Sequence, residues 1–389
     1  MIDITSVRAD TPGTEFVAHF NNAGASLMPA PVLARITNYL EEESRFGGYE
    51  TADAHADDLS AVYDIIAGLI GADRSEIAIV ESATRAWDAA FLSMRFEEGD
   101  RILTTTSEYA SNVIAFLQVA ERTGAVIEVI PDRPTGEIDV DALDAMIDDR
   151  VRLIAINHVP TNGGLVNPAA EVGCVANAHG IPYLLDACQS VGQMPIDVDE
   201  IGCDMLSATS RKFLRGPRGV GFLYVRDTML DRLVPPVLDL HGARWETPDA
   251  YRMRSDAGRF EMWERSPALV LGMSAAAEYA ASVGLDAIWD RVSMLAASLR
   301  EALSALPGVT VQDIGAVKGA IVTFTLEGAD AGAVKQALRD ESINVSVVTP
   351  YSARFDMEAR RLPNLVRASV HYFNSKEEID RLAAAAATL

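Results

Sequence analysis

Short apolar segments alternate with helical ones through the middle of the chain, and this alternation most narrows the folds that the chain can adopt. The segments of strand character are Glu76–Val80, Arg101–Thr104, Val126–Ile130, Leu153–Ile156, Tyr183–Leu185, Met205–Ser207 and Gly221–Val225. Helices are predicted between the first of them, over about residues 85–94, 111–122 and 139–149. Such a pattern indicates an α/β fold with a mostly parallel seven-stranded sheet covered by helices on both faces. Because such sheets bind ligands at the carboxyl ends of their strands, we expect the functional site there.

The length of the chain and a change in its pattern predict two domains. At 389 residues, the chain is too long for one simple core. After about Asp256 a long helical stretch runs from Pro267 to Leu306, broken near Gly284, and further strand-like segments and a final helix follow it. We therefore predict an N-terminal arm (residues 1–15), a large domain (16–256) and a smaller C-terminal α/β domain (257–389) with an antiparallel sheet.

Charge and cysteine content exclude several classes of function. The chain has 33 Lys and Arg against 56 Asp and Glu, a net charge of −23, which repels phosphates, so neither nucleic acid nor a membrane surface is an expected partner. We find no 18-residue apolar run and no basic leader followed by an apolar segment, and we predict a cytoplasmic protein. Cys174, Cys188 and Cys203 lack metal-binding spacing and are interpreted as reduced thiols, so no metal site is expected.

Lys212 and Asp186 together indicate a cofactor. Lys212 lies in a turn of small residues within Ser207–Tyr224, and Asp186 ends the apolar segment that begins at Tyr183. A pyridoxal 5'-phosphate enzyme needs this pair, because a lysine amine forms the Schiff base with the cofactor and an aspartate keeps the ring nitrogen protonated. Taken alone, Lys212 would be interpreted as a surface lysine in a basic turn, and Asp186 with the segments below favours the cofactor instead.

A second segment has the chemistry of a phosphate site. Ser82, Ala83 and Thr84 follow a predicted strand and begin a predicted helix. Backbone N–H groups at a helix start, together with hydroxyl groups, bind phosphate. A plain helix cap uses the same residues, so the motif alone leaves both interpretations open.

In their order and spacing these segments resemble the class V aminotransferase family, the group of the cysteine desulfurases and isopenicillin N epimerase. The resemblance runs from about Phe20 to about Leu382. It implies the fold type I of pyridoxal phosphate-dependent transferases and an enzyme that acts on an amino acid through an imine with the cofactor. It also implies that Ser82, Ala83 and Thr84 hold the phosphate.

The same resemblance implies further contacts with the cofactor. Tyr109 takes the place of a histidine that stacks on the pyridine ring, and tyrosine can also stack. Either Thr161 or Asn162 would lie near the phenolic oxygen of the cofactor, and Gln189 would reach that oxygen as well. His158, in the same turn, fits a structural role equally well.

The residues before Lys212 depart from the desulfurase pattern. Thr209 and Arg211 stand where desulfurases have a serine and a histidine near the phosphate, and arginine can pair with a phosphate through two hydrogen bonds. The run from Lys212 to Pro217 is also one residue longer than in desulfurases. Both departures resemble the epimerase side of the family, including the C–S lyases of ergothioneine biosynthesis.

The resemblance implies a substrate side and a partner subunit. Arg367 would bind the α-carboxylate of the amino acid, and Asn22 and Ala23 belong to a loop on the substrate side. The loop Gly258–Ser266 resembles one that reaches into the site of the partner, which implies a homodimer. The threonine of that loop is replaced by Glu264 or Arg265, so whether Arg265 contacts the partner's phosphate site stays open.

The cysteine distribution guides the prediction of the reaction. A persulfide-forming desulfurase needs a thiolate in a small-domain loop, and residues 204–389 contain no cysteine. We therefore predict β-elimination from an S-substituted cysteine or its sulfoxide, giving pyruvate and ammonia. An amino-acid epimerase or aminotransferase is the alternative, and a homologue that binds the cofactor without catalysis is a third.

Overall fold

The computed structural model describes residues 2–389 and contains a central seven-stranded sheet. The strands in these residues are β1 (Ala18–His19), β2 (Ile77–Val80), β3 (Arg101–Thr105), β4 (Val126–Ile130), β5 (Val151–Asn157), β6 (Tyr183–Asp186), β7 (Met205–Thr209), β8 (Gly221–Val225), β9 (Ala243–Thr247), β10 (Ala250–Met253), β11 (Val309–Val311), β12 (Ile321–Leu326), β13 (Ile343–Asn344), β14 (Ser346–Val348) and β15 (Leu365–Ser369). The central sheet has the order β2-β8-β7-β6-β5-β3-β4. Its strands are parallel except β8, which runs antiparallel to both of its neighbours. The predicted α/β class with a mostly parallel seven-stranded sheet is confirmed.

Helices cover this sheet and a smaller second one. The α-helices are α1 (Ile4–Ala9), α2 (Ala30–Phe46), α3 (Gly48–Ala54), α4 (Ala56–Ile70), α5 (Ala83–Phe91), α6 (Ala110–Thr123), α7 (Val140–Met146), α8 (Ala169–His179), α9 (Val198–Ile201), α10 (Asp227–Leu230), α11 (Pro267–Val283), α12 (Leu285–Ser304), α13 (Ala331–Asp340), α14 (Arg354–Ala359) and α15 (Lys376–Ala386). Short 3-10 helices lie at Pro12–Glu15, Arg74–Glu76 and Ala257–Phe260.

The alternation of side chains along the strands builds a core on each face of the central sheet. Successive residues of a strand point to opposite faces. Leu103 and Leu185 therefore join one buried cluster, while Ile102 and Leu184 join the cluster on the other face, around Trp87 of α5. Strands β6, β7 and β8 are buried along their whole length, as expected for strands with helices on both sides.

The C-terminal part of the chain forms a four-stranded antiparallel sheet of order β11-β12-β15-β14. Helix α12 packs on β11 and β12, and α13 packs on β15. Helix α11 instead packs on α2 and α4, which precede the central sheet in the chain. The N-terminal residues also meet the C-terminal part, since β1 pairs with β13 in parallel and Arg8 of α1 forms an ion pair with Glu378 at 2.9 Å. The domain limits themselves stay predictions.

The long predicted helical stretch is two helices joined at Gly284. This residue has a φ of +91°, which residues other than glycine rarely adopt, so the helix ends there and the chain turns by 79°. Within residues 2–389, no single helix has the length and apolarity to cross a membrane; only the bent pair α11 and α12 reaches those limits, by length and composition alone.

Candidate active site

The carboxyl ends of the central strands surround a cleft. Strands β2, β3, β6 and β7 each end beside it, and the turn or helix that follows each strand supplies a side chain. This convergence is a property of parallel sheets. The predicted site residues that line the cleft are Ser82, Ala83, Thr84, Tyr109, Thr161, Asp186, Gln189, Thr209, Arg211 and Lys212.

One end of the cleft is the N-terminus of α5. Ser82 is the N-cap, and its hydroxyl oxygen accepts a hydrogen bond from the Arg85 N–H at 3.2 Å. The N–H groups of a first helical turn have no partner inside the helix, so they favour an anion. Gly221 keeps this turn close to the sheet, because a Cβ atom there would lie 2.5 Å from the Ala208 carbonyl oxygen and 3.1 Å from the Ala83 nitrogen. Thr209 pairs with Gly221 and so lies near this turn, which suits a phosphate. Arg211 lines the same cleft, and its Nη1 donates to the Gly24 carbonyl oxygen.

The other end of the cleft holds the Asp186 carboxyl group. Its Oδ1 accepts a hydrogen bond from the Cys188 N–H at 2.9 Å, and its Oδ2 accepts one from the Asn112 side chain at 3.2 Å. Both bonds fix the orientation of the carboxylate. The sequence interpretation missed Asn112, although it stands one helical turn after Glu108, at the start of α6.

Lys212 follows β7 and lines the same cleft. Burial lowers the pKa of its amine, and Arg211 and Arg367 act in the same direction, while Cys188 and Asp186 oppose them. A lysine with a lowered pKa holds more of its amine in the neutral form, which is the nucleophilic and basic form. The environment therefore suits a covalent attachment at Nζ and a proton transfer there.

Arg367 on β15 adjoins the cleft through Thr161. Its Nη1 donates to the Thr161 carbonyl oxygen at 2.9 Å and to Oγ1 at 2.8 Å, and its Nη2 donates to the Asn21 side chain at 3.4 Å. Nε has no hydrogen-bond partner although it is buried. Burial lowers the pKa of Arg367 to about 10, and no carboxylate of residues 2–389 forms an ion pair with it. A buried guanidinium of this kind is suited to an anionic ligand.

Of the two candidates Thr161 and Asn162, only Thr161 lines the cleft. Thr161 faces the cleft, whereas Asn162 Nδ2 donates to the Asp356 carboxylate at 2.5 Å and lies outside the lining residues. Gln189 donates to the Ala23 carbonyl oxygen at 3.2 Å, and its Oε1 is buried with no hydrogen-bond partner. That unpartnered oxygen is a further indication that a polar ligand belongs in the cleft.

Asn22 and Ala23 lie behind the cleft and not on it. The Asn22 side chain is fully buried and donates to the Ser369 carbonyl oxygen at 2.7 Å and to the His19 carbonyl oxygen at 3.1 Å. The Ala23 N–H donates to Ser369 Oγ at 2.9 Å. These contacts correct the expectation of a direct substrate contact by the Asn22 side chain, because its amide is already used to hold the loop.

Arg265 is also absent from the cleft of its own chain. Its guanidinium donates to Glu261 at 2.8 Å and to the Tyr63 hydroxyl at 2.9 Å, in a separate pocket. Within one chain, Arg265 is therefore an internal partner of Glu261. A contact with the phosphate site of a second subunit stays a prediction.

The thiol groups are poorly suited to chemistry. Cys188 lines the cleft, but burial, with Asp186 nearby, raises the pKa of its thiol. Burial likewise raises the pKa of Cys203, while Cys174 is exposed on α8. Within residues 2–389 there is also no group of three or more His, Cys, Asp or Glu side chains that could hold a metal ion.

The residues of the cleft fit pyridoxal 5'-phosphate. The cleft contains an anion site at the start of α5, the oriented Asp186 carboxylate and a lysine with a lowered pKa, and buried polar atoms without partners remain at Gln189 and Arg367. A phosphorylated pyridine aldehyde offers the complementary group for each of them.

Comparisons with known proteins identify the family. A model of the family described as aminotransferase class-V matches residues 18–382. A probable cysteine desulfurase 2 of Mycobacterium leprae (strain TN) is 30% identical, over 98% of this chain and 96% of its own length. The cysteine desulfurase of Synechococcus elongatus is 29% identical over 98% of this chain, which spans 63% of that protein. Among solved structures, the apo cysteine desulfurase of Thermococcus onnurineus NA1 is 26% identical, with a TM-score of 0.93 over 100% of this chain and 98% of that one.

Proposed function

Because the chain belongs to the class V aminotransferase family of pyridoxal phosphate-dependent enzymes, we propose that it cleaves a carbon–sulfur bond by β-elimination. The proposed substrate is an S-substituted cysteine or its sulfoxide. Elimination releases the sulfur substituent and an unsaturated amino acid, and one water hydrolyses the latter to pyruvate and ammonia.

The distribution of thiols supports this reaction over sulfur transfer to the protein. A sulfur acceptor must reach the substrate as a thiolate. Residues 204–389 contain no cysteine, and the one thiol in the cleft, Cys188, has a raised pKa and lies beside the Asp186 carboxylate. The sulfur fragment would therefore leave the site as a free product.

The residues of the cleft have separate roles in this proposal. Asp186 would hold the protonated ring nitrogen of the cofactor, and the start of α5 with Thr209 and Arg211 would hold the phosphate. The bound cofactor supplies an electron sink that makes the α-proton of the amino acid acidic.

Two residues would act on the amino acid itself. Arg367 would bind the α-carboxylate with its buried guanidinium, which fixes the amino acid relative to Lys212. The Lys212 amine, with its lowered pKa, would take the α-proton at Nζ. Loss of that proton permits the β-sulfur substituent to depart with its bonding electrons.

The deciding experiment compares products. Holoenzyme is incubated with a panel of S-substituted cysteines and their sulfoxides, with free cysteine, and with L- and D-amino acids and a keto acid. We expect pyruvate from at least one sulfur-substituted substrate. Racemisation or amino transfer without pyruvate would instead support the epimerase or aminotransferase alternative.

A cysteine desulfurase is the second candidate, because relatives about 30% identical to this chain carry that name. It would convert free cysteine to alanine and leave a persulfide on the protein. The variant with Cys174, Cys188 and Cys203 all changed to serine separates the two activities. Elimination should survive this change, apart from some loss of stability at the buried positions. Alanine formation that vanishes on changing a single cysteine would overturn elimination and support the desulfurase.

The variant Lys212→Ala tests the attachment residue. We expect it to lose both activity and the visible absorbance of the bound cofactor. A borohydride-trapped adduct at wild-type level in this variant would show that another amine holds the cofactor.

A further inference from the structure

A second buried carboxyl group, Glu108, lies behind Asp186 and has no role in the reaction described above. It follows β3 directly before α6 and is 2% exposed. Among residues 2–389, no lysine, arginine or histidine forms an ion pair with it. A buried acid without a cationic partner is costly to keep, so its position calls for a physical explanation.

Three donors hold the Glu108 carboxyl group in one orientation. Oε1 accepts hydrogen bonds from the Tyr109 N–H at 2.7 Å and from Asn112 Nδ2 at 2.9 Å. Oε2 accepts one from the Thr104 hydroxyl at 3.1 Å. Glu108 is therefore fixed by the end of β3 on one side and by the first turn of α6 on the other.

Asn112 connects Glu108 to Asp186. The same Nδ2 that donates to Glu108 also donates to Asp186 Oδ2, at 3.2 Å. An amide nitrogen carries two hydrogens, so both bonds form at once. Because Glu108 Oε1 and Asp186 Oδ2 both accept from the same nitrogen, the Asn112 amide is held with its donor side toward both carboxyl groups.

The charge of Glu108 depends on pH in the working range of an enzyme. Burial, with Asp186 at the end of β6 as the charged group that faces it, raises the pKa of Glu108 to about 8, although its three hydrogen-bond donors oppose this shift. The carboxyl group is thus mostly protonated at neutral pH and ionised above pH 8. When ionised, it adds a second negative charge behind Asp186.

We propose that Glu108 is a positioning residue that orients Asp186 through Asn112 and, once ionised, strengthens the attraction of Asp186 for the protonated ring nitrogen of the cofactor. The proposal rests on the role given to Asp186 above. It predicts an effect that depends on the ring nitrogen and on pH, which a purely structural role would not produce.

The test measures how tightly the apoprotein binds two ligands, pyridoxal phosphate and its analogue with carbon in place of the ring nitrogen. The dissociation constant of the carbon analogue divided by that of pyridoxal phosphate measures how much the ring nitrogen contributes to binding. Glu108→Gln imitates the protonated carboxyl group and keeps its shape. The ratio should therefore equal that of the wild type at about pH 6.5 and fall roughly 3- to 10-fold below it at about pH 9.5.

A matched variant checks the origin of the pH dependence. Thr104→Val removes one donor to Glu108 without touching Asp186 or Asn112. Since that donor favours the ionised form, its loss should move the pH at which the ratio changes to a higher value. A ratio in Glu108→Gln that equals the wild-type ratio at both pH values would overturn the proposal, and so would an unchanged midpoint in Thr104→Val.

Asp186→Asn separates this proposal from the one on which it rests. If Asp186 holds the ring nitrogen, this variant should lose the preference for the nitrogen-containing cofactor at every pH. A preserved preference would overturn the role of Asp186 and that of Glu108 with it. Loss of the preference in Asp186→Asn together with wild-type behaviour in Glu108→Gln would overturn the role of Glu108 alone.

Discussion

Arg367 gives the clearest test among individual side chains. Its guanidinium is buried and donates to Thr161, with Nε unpartnered. If it binds the α-carboxylate, Arg367→Lys should weaken amino-acid binding by roughly 10- to 100-fold, because lysine cannot offer two parallel N–H groups. A spectral titration of the holoenzyme with an amino acid measures this.

The control for this prediction is the cofactor itself. Arg367→Lys should retain its visible absorbance, since Arg367 does not line the end of the cleft where the phosphate belongs. Loss of the cofactor with unchanged affinity for the amino acid would instead place Arg367 on the cofactor.

His158 predicts a pH dependence of stability. It is buried directly after β5, and burial lowers its pKa from about 6.5 in the unfolded chain to about 4 in the fold. As the pH falls, the unfolded chain therefore binds a proton at His158 before the folded chain does. The stability that the neutral His158 side chain contributes is complete above pH 6.5 and is lost as the pH falls from 6.5 toward 4. Urea unfolding of His158→Gln should show a smaller loss over this range, by roughly 2 to 3 kcal/mol. Equal losses in both proteins would contradict the prediction.

The predictability of site residues depends on how far apart their partners lie in the sequence. Lys212 and Asp186 could be identified because each stands in a recognisable segment at a strand end. Asn112 could not, since its bond to Asp186 joins residues 74 positions apart and depends on the alignment of β3 with β6 across the sheet. Asn162 donates to Asp356, which is 194 residues away, so this contact could not be predicted from the sequence either.

The turn after β7 is the element that carries Lys212, and Arg215 stabilises it. Arg215 has a φ of +65° and is 1% exposed. It donates to the Leu27 carbonyl oxygen, the Tyr372 hydroxyl and the Thr11 hydroxyl at 2.6–2.9 Å. Its guanidinium also lies 4.5 Å from the centre of the Phe373 ring. Arg215 thereby ties this turn to both ends of the chain.

Replacement of Arg215 should loosen this turn. Arg215→Lys keeps the charge but leaves buried acceptors without donors, and we expect a loss of roughly 2 to 4 kcal/mol in the free energy of unfolding, with weaker retention of the cofactor. Urea unfolding and cofactor release by dialysis measure the two effects. The exposed Arg218 of the same turn serves as control, since Arg218→Lys should change stability by less than about 0.5 kcal/mol. Similar losses in both variants would refute a special role of Arg215.

One apolar run shows why elements could not all be assigned from the sequence. Residues 343–348 form a single apolar run in the sequence, but β13 pairs with β1 while β14 pairs with β15. The run has strand character throughout. It is divided between two sheets because its first two residues pair with Ala18 and His19 near the N-terminus. Local propensity carries no information about such distant partners.

The molecule as a whole is predicted to be a homodimer. Exposed aromatic side chains cluster on the hairpin β9–β10 and the loop after it, with Trp245 77%, Tyr251 62% and Trp263 51% exposed. Exposed apolar surface of this kind is typical of an interface. Light scattering should give twice the mass of one chain, and a monomer mass would contradict this.

Mixed dimers test whether each cleft borrows Arg265. One subunit carries Lys212→Ala and the other Arg265→Ala, each inactive alone if the prediction holds. When Arg265 acts across the interface, one site of the mixed dimer has both lesions and the other is intact, so activity should return to at most about half. No recovery in verified mixed dimers would show that each site is built within one chain.

The contact of Asn22 with Ser369 determines the order in which parts of the site can form during translation. The two residues are separated by 347 positions, so at roughly 5–20 residues per second the first waits roughly 20–70 s for the second to be synthesised. The residues of the central sheet, with Asp186 and Lys212, emerge well before that moment. We therefore expect the proposed cofactor residues of the central sheet to be available first. The residues proposed to bind the amino acid should be completed only near the end of translation.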